Sequence, residues 1–563
     1  MPIYRRKADY MKEHYLQVIK DSDARVGRSL EIQEMDKECP EYGGFFGQNG
    51  YAEPKVTIYR LTTMTACYMN EESKWYNNEE IYKRICLALE YTKRVQRKEG
   101  FFDLPSCNFY SGPDTAFCVK RLFPYYVYLK RVCEKESGEK ADRYYQIKEL
   151  IEEILKKAAA ALTHCGFHTP NHRWAIASAL MMCWKYFGQE IYKQKADEIL
   201  LEGCDCNEEG EYAERSAGNY NRVNNDAMIM LAAATGDKKY YDPVIRNLKM
   251  MLTYVDPDDS IFTNHSTRQD RGKKVYLKDY YFEYLYMGYK TENEMFLGAA
   301  NYIMDTVKRH GLTTMDCLIH FMMNPELIGL ECCESGIETD YHRFYQGSEI
   351  VRRRKGEYSY TILNQCPSFL YFQSGDFAMN LKIGAGFCEH RNFISKTLEK
   401  TERGYHLHET MKGWYYLPFQ TPPATSDWWK MGNENRKKLY GPDMIFDVMI
   451  EEVEEGIDVR IVNTGVDRAP LRVEMIFDCG CRVETEAFSI EGKGRSSIVA
   501  KSGTVTASKG RYAIEAGPCF GAHRFTSGMR GSENAGESCF TVYCTDFSCF
   551  DRTIHLRAKK SSC

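Results

Sequence analysis

The spacing of apolar residues changes once along this chain of 563 residues, and that change limits the fold more than any other feature. Up to about residue 310 the spacing is helical. In "NEEIYKRICLALEYTKRVQRKEG" the residues Ile81, Ile85, Leu87, Leu89 and Val95 recur among charges at near-helical intervals, and Gly100 stops the segment. "ADRYYQIKELIEEILKKAAAALTHCG" repeats the pattern through Ile147, Leu150, Ile151, Ile154 and Leu155. Similar segments begin at "PDTAFCV", "NHRWAIA", "QEIYKQK", "DKKYYDP" and "TENEMFL", which predicts successive helical hairpins with short polar joints. After about residue 330 the period becomes two, as in "YSYTILNQ", "FAMNLKIGAG" and "MIFDVMIEEVEEGIDVRIVNTG", with Gly, Asn and Asp turns between the runs. Runs of helices followed by runs of strands predict two domains, an α-helical one and then an antiparallel β-sandwich. The join falls between Thr313 and Asp340, where "CLIHFMM" can already be a strand. The polar and aromatic stretch from "KTERGYHLHE" to "KKLYGPD" is too long for a hairpin turn and reads as a functional loop.

Composition narrows the partners. With 75 basic and 79 acidic residues there is no global positive field for a nucleic acid, so an anionic ligand has to be held by a few placed cations. The 41 tyrosines suit wet clefts and stacking on sugars. No segment approaches the roughly 18 apolar residues of a membrane span. "MPIYRRKADYMKEHYLQVIK" has no apolar run of the signal-peptide kind, and the 22 cysteines show no CxxC pairing, so a cytoplasmic protein with reduced thiols is expected. No cofactor is required by the chemistry below. A structural divalent metal in the β-domain, held by His with Asp or Cys, is compatible with the sequence, but no spacing names its ligands. A homo-oligomer is equally open.

Four polar clusters sit where the helices start or end. "FFDLPSCNFYSGPDTAF" carries Asp103, Asn108, Tyr110 and Asp114 ahead of a helix that Pro113 opens. "HTPNHRWAIASALM" puts Asn171 in a capping position, with His172, Arg173 and Trp174 after it; His and Arg run against the helix dipole there. "GEYAERSAGNYNRVNNDAM" surrounds Tyr220 with Glu214, Arg215, Asn219 and Arg222 as a helix begins. "IFTNHSTRQDRGKK" crowds His265, Arg268, Asp270 and Arg271 into one loop. Each cluster alone is also what a solvated helix end looks like. In a ring of hairpins, such ends converge on one cleft.

Two reactions suit that cleft. One is β-elimination from a uronic acid, which needs a base for the proton next to the carboxylate and Asn, His or Arg for the developing charge. A tyrosine can serve as that base when cations such as Arg215, Arg222 or Arg268 stabilise its phenolate. The other is hydrolysis by a carboxyl pair, for which Asp114, Glu214 and Asp270 are candidates. A third function, non-catalytic glycan binding, would use the same Tyr and Trp surfaces.

"TPNHRWAIASAL" followed by "EGEYAERSAGNYNRVNNDAM" resembles the paired signature of heparinase II/III-like polysaccharide lyases, an Asn-His dipeptide opening one helix and a tyrosine motif opening another. The resemblance implies an incomplete (α/α) toroid over residues 1–325 and an antiparallel β-sandwich over residues 326–563. It implies that Tyr220 is the catalytic base and acid and that Asn171 or His172 neutralises the substrate carboxylate. It also implies a histidine from the β-domain, for which His390 in "GAGFCEHRNF" is the best match and His406 and His408 are rivals. Arg215, Asn219, Arg268, Arg271, His265, Asn108 and Trp174 are then expected to bind a uronic-acid-containing oligosaccharide, with exolytic action on short chains. Where the family's motif has aspartate before glycine, this chain has Glu209.

Overall fold

The structure is a computed structural model that describes residues 9–331, 336–526 and 536–560. It divides into two compact units, Met1–Val255 with Asp259–Glu338, and Asp256–Asp258 with Thr339–Cys563.

The first unit is helical. Its helices are α1 (Asp9–Ile32), α2 (Pro54–Met69), α3 (Glu79–Val95), α4 (Gly112–Cys133), α5 (Glu139–Leu162), α6 (Pro170–Phe187), α7 (Glu190–Leu200), α8 (Tyr220–Thr235), α9 (Tyr241–Leu252), α10 (Tyr281–Thr291), α11 (Glu294–Arg309) and α12 (Leu318–Met323). They pack as hairpins, α2 with α3, α4 with α5, α6 with α7, α8 with α9 and α10 with α11. The leading members also pack in series, α2 on α4, α4 on α6 and α6 on α8, which makes them the inner layer of a toroid. Composition explains the layering. Every residue of α6 from Trp174 to Cys183 is buried, as an inner helix apolar on all sides should be. In α3 only a stripe including Ile81, Ile85, Ala88 and Leu89 is buried. That helix is also well terminated, with Asn78 accepting from the Ile81 amide, Glu79 and Glu80 in the first turn and Lys93 and Arg94 in the last. Each buried Ile or Leu contributes about 1.5–3 kcal/mol. Emptying one such site, as in Ile151→Ala on α5, costs about 2–5 kcal/mol. The segment "CLIHFMM", which can be a strand by its sequence, is helix α12, packed against α1, α2 and α4.

The buried His14 of α1 shares a 3.1 Å hydrogen bond with the Tyr281 hydroxyl at the start of α10, tying the first helix to the last hairpin. Burial, helped by Lys308, pushes the His14 imidazole down to about 3. A histidine held neutral in the fold contributes fully above its unfolded value of about 6.5, and that contribution is lost as pH falls below it. Between pH 7 and pH 5 the loss amounts to about 2 kcal/mol for this group. Urea titrations at the two pH values should show it, and His14→Gln should flatten the dependence by about that amount.

The second unit is a β-sandwich of two nine-stranded sheets. The first centres on Phe377–Phe387, Pro470–Asp478 and Cys539–Phe547, the second on Gly404–Tyr416, Lys438–Val453, Gly456–Gly465 and Phe550–Lys560. Among the described residues these strands pair antiparallel, whereas Ser496–Val499 and the isolated bridge Gly521–Thr545 run parallel to Cys539–Phe547. Alternation places Tyr405, Leu407 and Met411 inside and His406, His408 and Thr410 half-exposed. Leu381 and Phe477 from one sheet and Phe446, Val448 and Ile461 from the other share a single core. The stretch expected to be one long loop is paired strand at both ends, over residues 404–416 and 438–443. Trp414 lies opposite Tyr440 and Tyr416 opposite Lys438, so the connection is confined to residues 417–437. Alternation there is masked in sequence by aromatics on both faces of strands whose ends are exposed.

Candidate active site

The site lies in the helical unit, where α6 and α8 begin and the loop before α10 meets them. Tyr220 is the first residue of α8. Asn219 occupies the capping position without a side-chain cap bond; instead the Tyr220 amide donates to the Ser216 hydroxyl at 3.1 Å. Ser216 in turn donates to Asp270 Oδ1 at 2.8 Å, Ser266 donates to the same oxygen at 2.6 Å, and the Gly218 amide donates to Oδ2 at 2.9 Å. A β-carbon on Gly218 would lie 2.9 Å from that oxygen, so only glycine lets the two loops close here. Asp270 is therefore the clasp between the Tyr220 loop and the Arg268 loop.

Glu214, almost wholly buried, accepts from the backbone amide of Asn171 at 3.2 Å and from its Nδ2 at 2.7 Å. Asn171 is thus not the cap of α6. Thr169 holds that position, Asn171 is the second helical residue, and a carboxylate from another loop satisfies its backbone donor. The Asn171 amide also donates to Thr169 Oγ1 at 3.0 Å, and its carbonyl oxygen is buried without a partner. Glu214 Oε1 lies 3.2 Å from Arg268 Nε, and the Arg268 guanidinium sits 5.3 Å from the centre of the Tyr220 ring. The half-buried Tyr220 has one hydroxyl contact, to Gln269 Oε1 at 3.5 Å. Burial raises the Glu214 carboxyl above its ordinary value, with Asn171 and Arg268 opposing. Burial lowers the His172 imidazole to about 4 although Asp114 pulls the other way, so the ring is neutral near pH 7. His172 packs edge-on to Phe117, whose ring also faces Lys55.

The structure thus gathers Asn171, His172, Glu214, Tyr220 and Arg268. Other candidates have different duties. Trp174 is fully buried, donates to Asp205 at 2.6 Å and lies under Arg173, so it has no face for a sugar. Arg215, at a positive φ of 51°, pairs with His265 at 2.8 Å, and His265 lies 3.5 Å from Glu211. Asp114 has one oxygen 2.9 Å from Lys55 and the other accepting from Ser111 at 2.7 Å. Asn219 and Arg271 are exposed on their loops, and Asn108 is half-exposed on a short strand before α4. His390 belongs to the β-unit, on a three-residue strand paired with Phe377–Phe387. Lys55, a single lysine in the first turn of α2, carries no local pattern that would mark it as part of a site.

In the β-unit His406, His408 and Asp447 bring one ligand atom each within 4.8 Å of one another, the one such group among the described residues. Strand alternation puts both histidines on one face, and register sets Asp447 opposite His408. Two imidazoles and a carboxylate form a donor set that fits Zn2+. The Asp447 oxygen lies 2.8 Å from both rings.

No protein-family model and no curated protein sequence matches the chain. Solved structures do. Paenibacillus xanthan lyase is similar with a TM-score of 0.56 at 8% identity, over 99% of this chain and 60% of that one. Chondroitin AC lyase of Streptomyces coelicolor A3, solved in complex with chondroitin sulphate, gives 0.54 at 9% identity, over 99% and 83%. A chondroitinase AC lyase studied as enzyme–oligosaccharide complexes gives 0.53 at 9% identity, over 98% and 83%. The fold is that of polysaccharide lyases. Its helical toroid and β-sandwich are the architecture that the Asn-His and tyrosine motifs implied. The chain spans 60% of the length of the xanthan lyase. No helix among the described residues is long and apolar enough to cross a membrane.

Proposed function

We propose that the chain is a lyase that cleaves uronic-acid-containing oligosaccharides by β-elimination at Tyr220. The observation that carries this reading is the state of the carboxylates. Hydrolysis needs two carboxyl groups free to flank the glycosidic bond. Asp270 has both oxygens engaged by Ser216, Ser266 and Gly218, and Asp114 has both engaged by Lys55 and Ser111. Of these three carboxylates only Glu214 retains an oxygen without a hydrogen bond; the neighbouring Glu211 has another, but its second oxygen is held by Tyr254 at 2.9 Å. Tyr220 and Arg268, by contrast, stand together with little else bonded to the phenol.

In this reading the Tyr220 oxygen takes the proton from the carbon next to the substrate carboxylate. The C–H electrons form the new double bond, the bond to the leaving oxygen breaks, and the same proton passes from Tyr220 to that oxygen. No water is consumed. Arg268 and the neutral His172 face the carboxylate as its negative charge grows. Asn171 adds a third donor by exchanging its bond to Thr169, while Glu214 keeps its amide oriented.

Incubation with a panel of uronic-acid oligosaccharides should produce the ultraviolet absorbance of the new double bond, with fragment masses summing to that of the substrate. Fragments heavier by one water and without that absorbance would move the chemistry to Glu214, whose raised carboxyl suits a general acid.

A further inference from the structure

The aromatic stretch from Trp414 to Tyr440 is left without a role by this reaction. It forms an arm of the β-unit, in which residues 414–416 pair with residues 438–440 and residues 417–437 connect them. Large apolar side chains gathered in water mark an interaction site. Here Tyr415, Trp428, Trp429, Leu439 and Tyr440 are all exposed, Trp429 by 89%. The arm is tied together by its own polar contacts. Asn433 donates to the Trp428 carbonyl at 2.7 Å and accepts from Arg436 Nε at 2.6 Å, and the Leu417 amide donates to the Lys437 carbonyl at 2.8 Å. The rings are therefore positioned before any ligand arrives.

Strand pairing makes a strip of these rings. Trp414 lies opposite Tyr440 and Tyr416 opposite Lys438, and residues opposite one another or two apart on paired strands share a face. Trp414 meets Tyr416 edge-on with ring centres 4.7 Å apart, and Tyr416 meets Trp428 at 6.4 Å. Cations are set into the strip. The Lys438 ammonium lies 3.7 Å from the centre of the Trp414 ring, and the Arg436 guanidinium lies 3.9 Å from that of Phe419 and 5.3 Å from that of Trp428. Two nearby acids are engaged elsewhere: Asp427 pairs with Lys430 at 3.2 Å, and Glu389 accepts from the Trp414 indole. Residues 414–440 hold four basic and two acidic side chains, in a chain with 75 and 79, so the positive excess belongs to the arm and not to the chain.

This chemistry selects among partners. A bilayer or a protein partner buries an apolar face with lysines kept to its rim or its opposite side, whereas Lys438 sits on the ring of Trp414 within the strip. A nucleic-acid strand brings a phosphate with every nucleotide and needs a run of cations, and here two acids interrupt four. A uronic-acid polymer suits both features. The C–H face of its pyranose lies against an aromatic ring, and the carboxylate at the pyranose edge reaches the cation beside that ring. We propose that the arm is a second carbohydrate-binding surface, built from the β-unit alone, on which Trp414, Tyr416, Trp428 and Tyr440 stack against an acidic polysaccharide while Arg436 and Lys438 take its carboxylates. The surface stands on the arm's own chemistry and does not depend on the lyase reading.

The test is retardation of the whole protein in native gels cast with hyaluronan, polygalacturonate or dextran, with Tyr220→Phe in every sample so that the polymers stay intact. At least one acidic polymer should retard the protein at about tenfold lower concentration than dextran. The double variant Trp428→Ala with Tyr440→Ala, both at exposed positions, should weaken that retention about tenfold. Trp428→Phe, which keeps a ring, should weaken it less, and Lys438→Gln should lower the preference for the acidic polymer several-fold without altering dextran. Equal retardation by dextran would overturn the proposal, and so would retention that survives the double variant, since the polymer would then sit elsewhere. Tighter binding of oligothymidylate or of phosphatidylserine vesicles than of either acidic polymer would also overturn it, as would a dimer that dissociates in the double variant. Because retention is read and not cleavage, a protein that is retarded in this way without producing unsaturated fragments would refute the lyase reading and leave the arm standing.

Discussion

Replacing Tyr220 by phenylalanine is expected to lower kcat for elimination about 10³-fold, the scale of a lost general acid–base group. The melting temperature should hardly move. Both halves follow from the same geometry. The phenol oxygen has a single contact at the outer limit of hydrogen-bond length, to Gln269, so its removal leaves no buried donor or acceptor behind. The ring, still present in phenylalanine, keeps its place beneath Arg268. A tyrosine that merely supported the start of α8 would give the opposite pattern, a lower melting temperature with kcat reduced only in proportion to unfolded protein.

Asp270→Ala is expected to destabilise the protein by about 3 kcal/mol and to lose most activity as a consequence. The carboxylate is buried and receives three donors, from Ser216, Ser266 and the Gly218 amide. Removing it orphans all three and releases the Tyr220 loop from the Arg268 loop. Urea unfolding measures the first effect, and KM and kcat measure the second. Asp270→Asn, which preserves shape and one acceptor, should recover part of both. If Asp270 were instead an acid or base in hydrolysis, Asp270→Asn would abolish kcat with stability intact.

Much of this architecture was legible in the sequence because burial imposes period. The uninterrupted "AIASALMMC" belongs to an inner helix, the striped "IYKRICLALEY" to an outer one, and the alternating "YHLHETM" to a strand with one face in the core. "CLIHFMM" was ambiguous because a short apolar run carries no period of its own, and packing against three helices decided it. The convergence of Asn171, Tyr220 and Arg268 also follows from their positions at hairpin ends.

Partnerships were another matter. Nothing local in the sequence reveals that Glu214 holds Asn171, that Asp270 is fully engaged by serines from two loops, or that Trp174 faces inward beneath Arg173. Those choices depend on which donors the completed fold leaves unsatisfied.

The central claim is that bond cleavage at Tyr220 consumes no water. The most direct measurement is to run the reaction in water enriched in heavy oxygen and to weigh both fragments. Elimination predicts that neither fragment carries the label and that one carries a double bond. A heavy oxygen atom in the newly formed end of either fragment, with no double bond, would contradict the account.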